Sequence, residues 1–164
     1  MKILVTGVPA VGKTTFSIKM AKKYNLKHLD VSNLIKEHKL YDKYLEKYDT
    51  YEYIEENVMN YFKNLIKTEK NVIIDTHSPT TFIKINFDYV FYLLADDETL
   101  IKRYRMREYN DLKIRENLDS LFFDVIGEQL EDEMNLNFIK VNSGGFIDDN
   151  EVITIEDALK IIEK

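Results

Sequence analysis

Near the start of the chain, the run G-V-P-A-V-G-K-T-T from Gly7 to Thr15 places small residues, one lysine and two hydroxyls at a spacing suited to holding phosphate. It fits G-x-x-x-x-G-K-[ST] in full. Gly7 and Gly12 permit backbone angles and close approaches that a Cβ obstructs. In such a loop the backbone N–H groups converge on the anion, and the following helix adds partial positive charge at its N-terminus. Lys13 can reach the β- and γ-phosphates of a nucleotide, and the Thr14 hydroxyl can ligate Mg²⁺. The whole cradle is Gly7, Pro9, Ala10, Val11, Gly12, Lys13, Thr14 and Thr15. A glycine turn beside a chance lysine is the plainer reading, and the flanking sequence argues against it. Lys2–Thr6 is an apolar, β-branched run, and Phe16, Met20 and Ala21 follow at helical spacing. Strand, loop, helix is the context that a phosphate site needs.

A second group of candidates lies further along. Asp75 closes the apolar run Asn71–Asp75, where a carboxylate can orient Mg²⁺ opposite Thr14. A strand-end Asp that merely caps the next turn is the alternative. His77, two residues on, faces the same side if the segment is extended. It is then placed to position a water or bond a phosphate, or it is an ordinary loop histidine. Arg103 and Arg107 are four apart and share a helical face. Guanidinium forks match the oxygens of a transferring phosphoryl group; pairing with Asp96, Asp97 or Glu108 is the other reading. Asn142–Gly145 reads as a turn, or as backbone against which a base can lie.

These residues need a scaffold. The alternation of strands and helices predicts an α/β fold with a five-stranded parallel sheet and helices on both faces. The strands are Lys2–Thr6, Leu26–Asp30, Asn71–Asp75, Phe87–Leu94 and Asn137–Val141. Phe87–Leu94 is apolar on both faces and should be central. Helices are expected over Thr14–Tyr24, from Ser32 as a cap, over Glu55–Lys67, after Asp96, over about Leu112–Glu133 and over Ile155–Glu163. Ligands bind such sheets beyond the carboxyl ends of the strands, which puts the loop at Gly7, Asp75–His77 and Asn142–Gly145 on one rim. The stretch Tyr41–Tyr53 holds Tyr41, Tyr44, Tyr48, Tyr51 and Tyr53 among acids and lysines. Spacings of three and four suit an amphipathic helix; a flap that encloses a base is the sharper reading.

Composition sets the outer limits. With 164 residues, 45% of them hydrophobic and 32% charged, the chain reads as one globular domain spanning 1–164. The formal charge of −6 argues against a general nucleic-acid coat, so any RNA contact should be local. The absence of cysteine excludes disulfides and zinc–thiolate sites. No apolar run approaches the ~20 residues of a membrane span. The first strand begins at once, so no leader is expected and the cytoplasm is the expected compartment.

At these residues the sequence resembles the isoenzyme 6-type adenylate kinases, also described as nuclear or ribosome-maturation ATPases. The resemblance runs from about Lys2 to Glu133 and rests on several stretches: the loop at Gly7, D-V-S-N-L at Asp30, L-Y-D-K-Y-L-E-K-Y-D at Leu40, I-I-D-T-H at Asp75, R-Y-R-M-R-E-Y-N at Arg103 and E-N at Glu116. It implies a nucleoside monophosphate kinase fold with an acceptor-binding arm over about 30–53 and a very short lid over about 105–117. It further implies ATP with Mg²⁺ as donor, AMP as acceptor and a side ATPase activity. Arg107 would touch the ATP phosphates from the lid and Arg103 would support the nucleotide. Ser32, Lys36, Tyr41 and His77 would face the acceptor. The same resemblance implies a role in small-subunit ribosome maturation, with a ribosomal protein and pre-rRNA as partners, and a nuclear location in a eukaryote. Four residues depart from the family pattern: Ala10 replaces a usual Gly, Lys36 an acceptor-gripping Arg, Leu45 an Asp and Leu121 a Glu.

Three functions therefore compete: a kinase for AMP, an ATP-driven assembly factor, and a kinase for a small non-nucleotide substrate such as a shikimate-like metabolite. The tyrosine-rich stretch argues against the third, because flat apolar walls suit a base.

Overall fold

A computed structural model describes residues 1–163. In chain order the elements are β1 (Lys2–Thr6), α1 (Lys13–Tyr24), β2 (Lys27–Asp30), α2 (Val31–Glu37), β3 (Lys43–Leu45) and β4 (Thr50–Glu52). Then come α3 (Glu55–Thr68), β5 (Val72–Asp75), β6 (Tyr89–Leu94), α4 (Asp97–Met106), α5 (Asp111–Phe122) and α6 (Val125–Glu128). The chain closes through β7 (Ile139–Asn142), β8 (Ile153–Thr154) and α7 (Ile155–Ala158).

The expected five parallel strands are all present in the order β2-β5-β1-β6-β7, and a sixth, the two-residue β8, extends the edge. Ile3, Leu4 and Val5 are each 0% exposed, so both faces of β1 are covered. That explains why its sequence is a continuous apolar run rather than an alternation. β6 is central as expected, between β1 and β7. The chain leaves β1 for the β2–β5 side and later returns to β6, so the crevice over β1 lies at the point where the strand order reverses.

Helix α1 buries Phe16, Ser17, Met20 and Ala21, a stripe of helical period, and Phe16 meets Phe91 of β6 edge-on at 5.3 Å. Burying such a ring is worth about 2 kcal/mol. The helix stops where Asn25 turns left-handed (φ 52), its N–H bonded to the Ala21 carbonyl. Lys22 and Lys23 favour that negative end of the dipole. The opposite end of α1 is therefore pinned to the core with its N-terminus at the crevice.

Several expectations are corrected. Helix α2 is capped by Asp30, whose Oδ1 accepts from the Asn33 N–H at 3.0 Å, and not by Ser32, which lies inside the helix. Tyr41–Tyr53 is not a helix. It is an antiparallel hairpin, β3 on β4, with Tyr44 opposite Tyr51 and Lys43 ion-paired across to Glu52 at 2.8 Å. Tyrosine and threonine suit a pleated surface, and Asp49 adopts the left-handed turn (φ 47) that reverses the chain. The long helix expected over Leu112–Glu133 breaks after Phe122, where Asp124 becomes left-handed (φ 48). There Asp124 Oδ1 accepts from the hydroxyl of Tyr92, a β6 residue 1% exposed, at 2.8 Å. A buried hydroxyl without a partner is costly, and a straight helix continues past this one. The segment resumes as α6 and a π-helical turn, Gln129–Glu133. The closing helix is shorter than expected and ends at Ala158, followed by a 3-10 turn from Ile161.

Candidate active site

The carboxyl ends of β1, β2 and β5 open into a cleft of about 670 Å³. Its donor end is the loop between β1 and α1. Gly7 has φ 147, and a Cβ there would come 2.6 Å from the Leu93 carbonyl oxygen, so the loop can dive against β6 only with glycine. Gly12 (φ 110) caps α1 without using a side chain and leaves the first N–H groups free to face an anion. Ala10 is left-handed at φ 61, a conformation that costs a residue with a Cβ roughly 1 kcal/mol.

Lys13 curls back over the loop. Its Nζ donates to the carbonyls of Gly7 (2.9 Å) and Val8 (3.0 Å). Burial pushes its pKa down to about 8; Asp75 opposes the shift and Arg107 reinforces it. A half-buried ammonium with spare donor capacity and a lowered pKa is ready for an anion. Asp75, 3% exposed at the end of β5, accepts from the Thr14 hydroxyl at 2.7 Å. Its Oδ2 also faces His28 Nε2 at 3.4 Å. Among the described residues no three His, Cys, Asp or Glu side chains converge on a metal position. A hydroxyl beside one carboxylate still fits Mg²⁺, which takes one or two protein oxygens and fills its shell with water and phosphate oxygens.

His77 lines the same cleft. The residue keeps solvent access, yet the protein atoms around it disfavour the charged form, and Lys13 repels a second positive charge. Both effects lower its pKa, to about 4, against the pull of Asp75, so the imidazole is neutral at pH 7.

Both arginines line a smaller pocket beside the loop with Ala10, Gly12, Thr15 and Ser143, but they take different partners. Arg107 terminates α4 and lines the donor end of the cleft. Arg103 does not line that cleft. Its Nη1 donates to the carbonyls of Ala10 (3.3 Å) and Val11 (3.0 Å), and its Nη2 to that of Ser143 (2.9 Å). It therefore braces the outside of the phosphate loop against Asn142–Gly145, where Gly144 leaves room for the guanidinium. Neither arginine is ion-paired to Asp96, Asp97 or Glu108 among the described residues. Val11 has a wholly buried side chain and contributes only backbone.

Away from the loop, Ser32 and Lys36 of α2 and Tyr44, Tyr48, Tyr51 and Tyr53 of the hairpin region line the cleft. Tyr41 is not in its wall. Its ring packs behind Tyr51, centroids 4.6 Å apart. Lys36 Nζ lies 5.3 Å from the centre of the Tyr51 ring. Sequence reasoning missed Asp30, His28 and Lys113. Asp30 and Asp75 are register partners on adjacent strands, a pairing that the chain order conceals. Lys113 carried a weak signal, three residues past the capping Asn110.

A three-layer α/β sheet with a phosphate loop at its reversal point and a carboxylate at the neighbouring strand end defines a P-loop nucleotide-binding fold. Comparison of folds agrees. A shikimate kinase from Bacteroides thetaiotaomicron superposes with a TM-score of 0.62 at 18% identity, covering 99% of this chain and 96% of that one. A deoxyadenosine kinase from M. mycoides solved with dATP gives 0.63 at 15% identity over 100% of both. In sequence, an AAA domain family model matches residues 3–124. The adenylate kinase isoenzyme 6 homolog of Dictyostelium discoideum is 30% identical over 149 residues, 91% of this chain and 85% of the relative. The chain belongs to the adenylate kinase isoenzyme 6 family. Among the described residues, no helix is long and apolar enough to cross a membrane.

Proposed function

We propose that this protein transfers the γ-phosphoryl group of Mg-ATP to AMP, giving two ADP, with water as a slower acceptor. One observation carries the reading: a single cleft runs from Lys13 to the tyrosines under the hairpin, joining a triphosphate cradle to a wall of flat rings. Aromatic faces of that kind stack on bases. In this reading the loop amides and Lys13 hold the triphosphate, Arg107 offsets charge on the transferring oxygens, and Arg103 keeps the loop in shape. Thr14 and Asp75 would hold Mg²⁺, which neutralises charge on the phosphates. Lys36 would attract the acceptor phosphate as a point charge, without the two-pronged geometry of arginine. The unit is one domain, 1–164, with the segment over about 30–53, hairpin included, as acceptor arm and that over about 105–117 as lid. The test is ADP formation from ATP and AMP. We expect Lys13→Ala to lower it about 10²–10³-fold; wild-type protein that makes no ADP above its ATP hydrolysis ends this reading.

A second reading is an ATP-driven assembly factor, in which hydrolysis controls the grip on a small-subunit ribosomal protein or pre-rRNA. His77 in the same cleft supports it, because a neutral ring can accept a hydrogen bond from an attacking water and orient it. ATP turnover measured with and without AMP, and with and without the ribosomal partner, separates the two. A shikimate-like acceptor is the less favoured reading, because Tyr44, Tyr48, Tyr51 and Tyr53 give the cleft more flat ring surface than a small polar metabolite needs.

A further inference from the structure

The hairpin is a weak element by itself: two strands of three residues each, with Tyr44 45% exposed. An isolated two-stranded ribbon is marginal in water. It is tied to the far side of the cleft by the first turn of α5. Lys113 Nζ donates to the Asp49 carbonyl and, at 3.1 Å, to Asp49 Oδ2. The other carboxylate oxygen, Oδ1, accepts from the Tyr44 hydroxyl. Asn110 does two jobs at once. Its Oδ1 caps α5 through the Lys113 N–H at 2.8 Å, and its Nδ2 reaches the Lys47 carbonyl at 3.4 Å.

The same cation leads back to the core. Lys113 Nζ stands 4.1 Å from the centre of the Tyr109 ring, and that ring stacks on Tyr104, which is 0% exposed, at 5.6 Å. Arg107 lies between Tyr104 and Tyr109 in sequence and faces the donor end of the cleft. A short segment therefore carries the donor-side arginine at one end and the hairpin's anchor at the other. The Lys113 side chain is 17% exposed and that of Asp49 45%, so the cation is held among its partners while the carboxylate keeps one side to solvent. The Tyr44 hydroxyl, and then Lys113, hold the Asp49 carboxyl below its usual range, so the carboxylate is charged at neutral pH.

We propose that Asp49 and Lys113 are positioning residues that lock the acceptor hairpin to the segment carrying Arg107, so that an acceptor under the hairpin and the arginine at the donor phosphates come into register together. The catalytic part of this rests on the kinase reading above; the lock itself does not. Without the lock, the hairpin swings as a separate unit, the acceptor is poorly held, and Arg107 meets ATP with only water as acceptor.

The test compares Lys113→Met, Asp49→Asn, the double variant and Lys113→Arg. In Lys113→Met we expect KM for AMP to rise about 10-fold, the worth of one charge-assisted hydrogen bond, with KM for ATP unchanged. The ratio of ATP hydrolysis to ADP transfer rises with it. The double variant is no worse than either single one, and Lys113→Arg keeps most of the transfer. Without nucleotide, backbone amides of residues 43–52 exchange with deuterium about 10-fold faster in Lys113→Met than in wild type. Losses that multiply in the double variant show that Lys113 acts on substrate independently of Asp49 and overturn the lock. Unchanged amide exchange in the hairpin overturns it as well. If wild type makes no ADP from ATP and AMP, the kinase reading falls, while the exchange measurement still decides the lock.

Discussion

The two ends of the cleft are built by different means. The donor end is backbone held by a buried sheet: β1 is wholly covered, Gly7 presses against β6, and Arg103 and Lys13 bind loop carbonyls from either side. The acceptor end is side chains held by side chains: tyrosine on tyrosine, Lys36 over Tyr51, Asp49 between Tyr44 and Lys113. The first kind of site is as stable as the core around it, and the second can open locally at small cost. A phosphate tail that every donor shares suits a fixed cradle, while a base that must enter and leave suits a movable wall.

If that contrast is right, damage at the donor end should unfold the protein, and damage at the acceptor end should only weaken binding. The largest effect should come from Gly7→Ala. Its Cβ would meet the Leu93 carbonyl oxygen at 2.6 Å with φ at +147, so we expect a loss of about 3 kcal/mol in urea unfolding. A loss under about 1 kcal/mol would mean that the loop is less tightly seated than it looks. Tyr51→Ala, which removes the ring touched by Tyr41, Tyr44 and Lys36, should raise KM for AMP about 10- to 100-fold and leave ATP affinity unchanged. Equal losses for both nucleotides would erase the distinction between the ends. Ala10→Gly should go the other way and stabilise the protein by about 1 kcal/mol, because it removes a left-handed Cβ at φ 61. Thermal unfolding with and without ATP will show whether the strain also preorganises the loop.

The smallest effect sharpens the picture of Lys13. Its pKa is near 8 in the free protein, and a triphosphate favours its charged form. ATP binding at pH 8 should therefore take up about half a proton, and at pH 6 almost none, because the ammonium is already charged. Calorimetry in two buffers of different ionisation enthalpy reads this directly, with Lys13→Ala as the control. Proton release, or uptake that persists in that variant, would assign the titration elsewhere.

Much of the donor end was legible because it depends on neighbours in sequence. The run Gly7–Thr15 sits between an apolar strand and a helix, so its loop conformation follows from local residues alone, and Asp75 was found by closing its own strand. Arg107 lines the cleft, while Arg103, four residues away on the same face, binds the Ala10, Val11 and Ser143 carbonyls, and nothing in its sequence surroundings tells that they lie within its reach. At the hairpin two periods overlap, so the spacing left a helix and a flap both open. Tyr41, Tyr44, Tyr48 and Tyr51 fit helical spacing, while the actual pairing puts Tyr44 opposite Tyr51. Likewise, the apolar face after Leu112 suited one long helix, and a tyrosine hydroxyl on β6 broke it at Asp124.

By itself, the order of residues determined the strand–loop–helix cradle, the parallel sheet and the carboxylate beside it, because burial pattern, glycine conformations and helix ends act within a few residues of one another. The tertiary structure alone decided which lysine meets Asp49, which arginine faces the cleft and which tyrosine forms its wall. Those choices depend on groups separated by 64 residues (Lys113 and Asp49) or 92 (Arg103 and Val11), which only the folded chain brings within hydrogen-bonding distance.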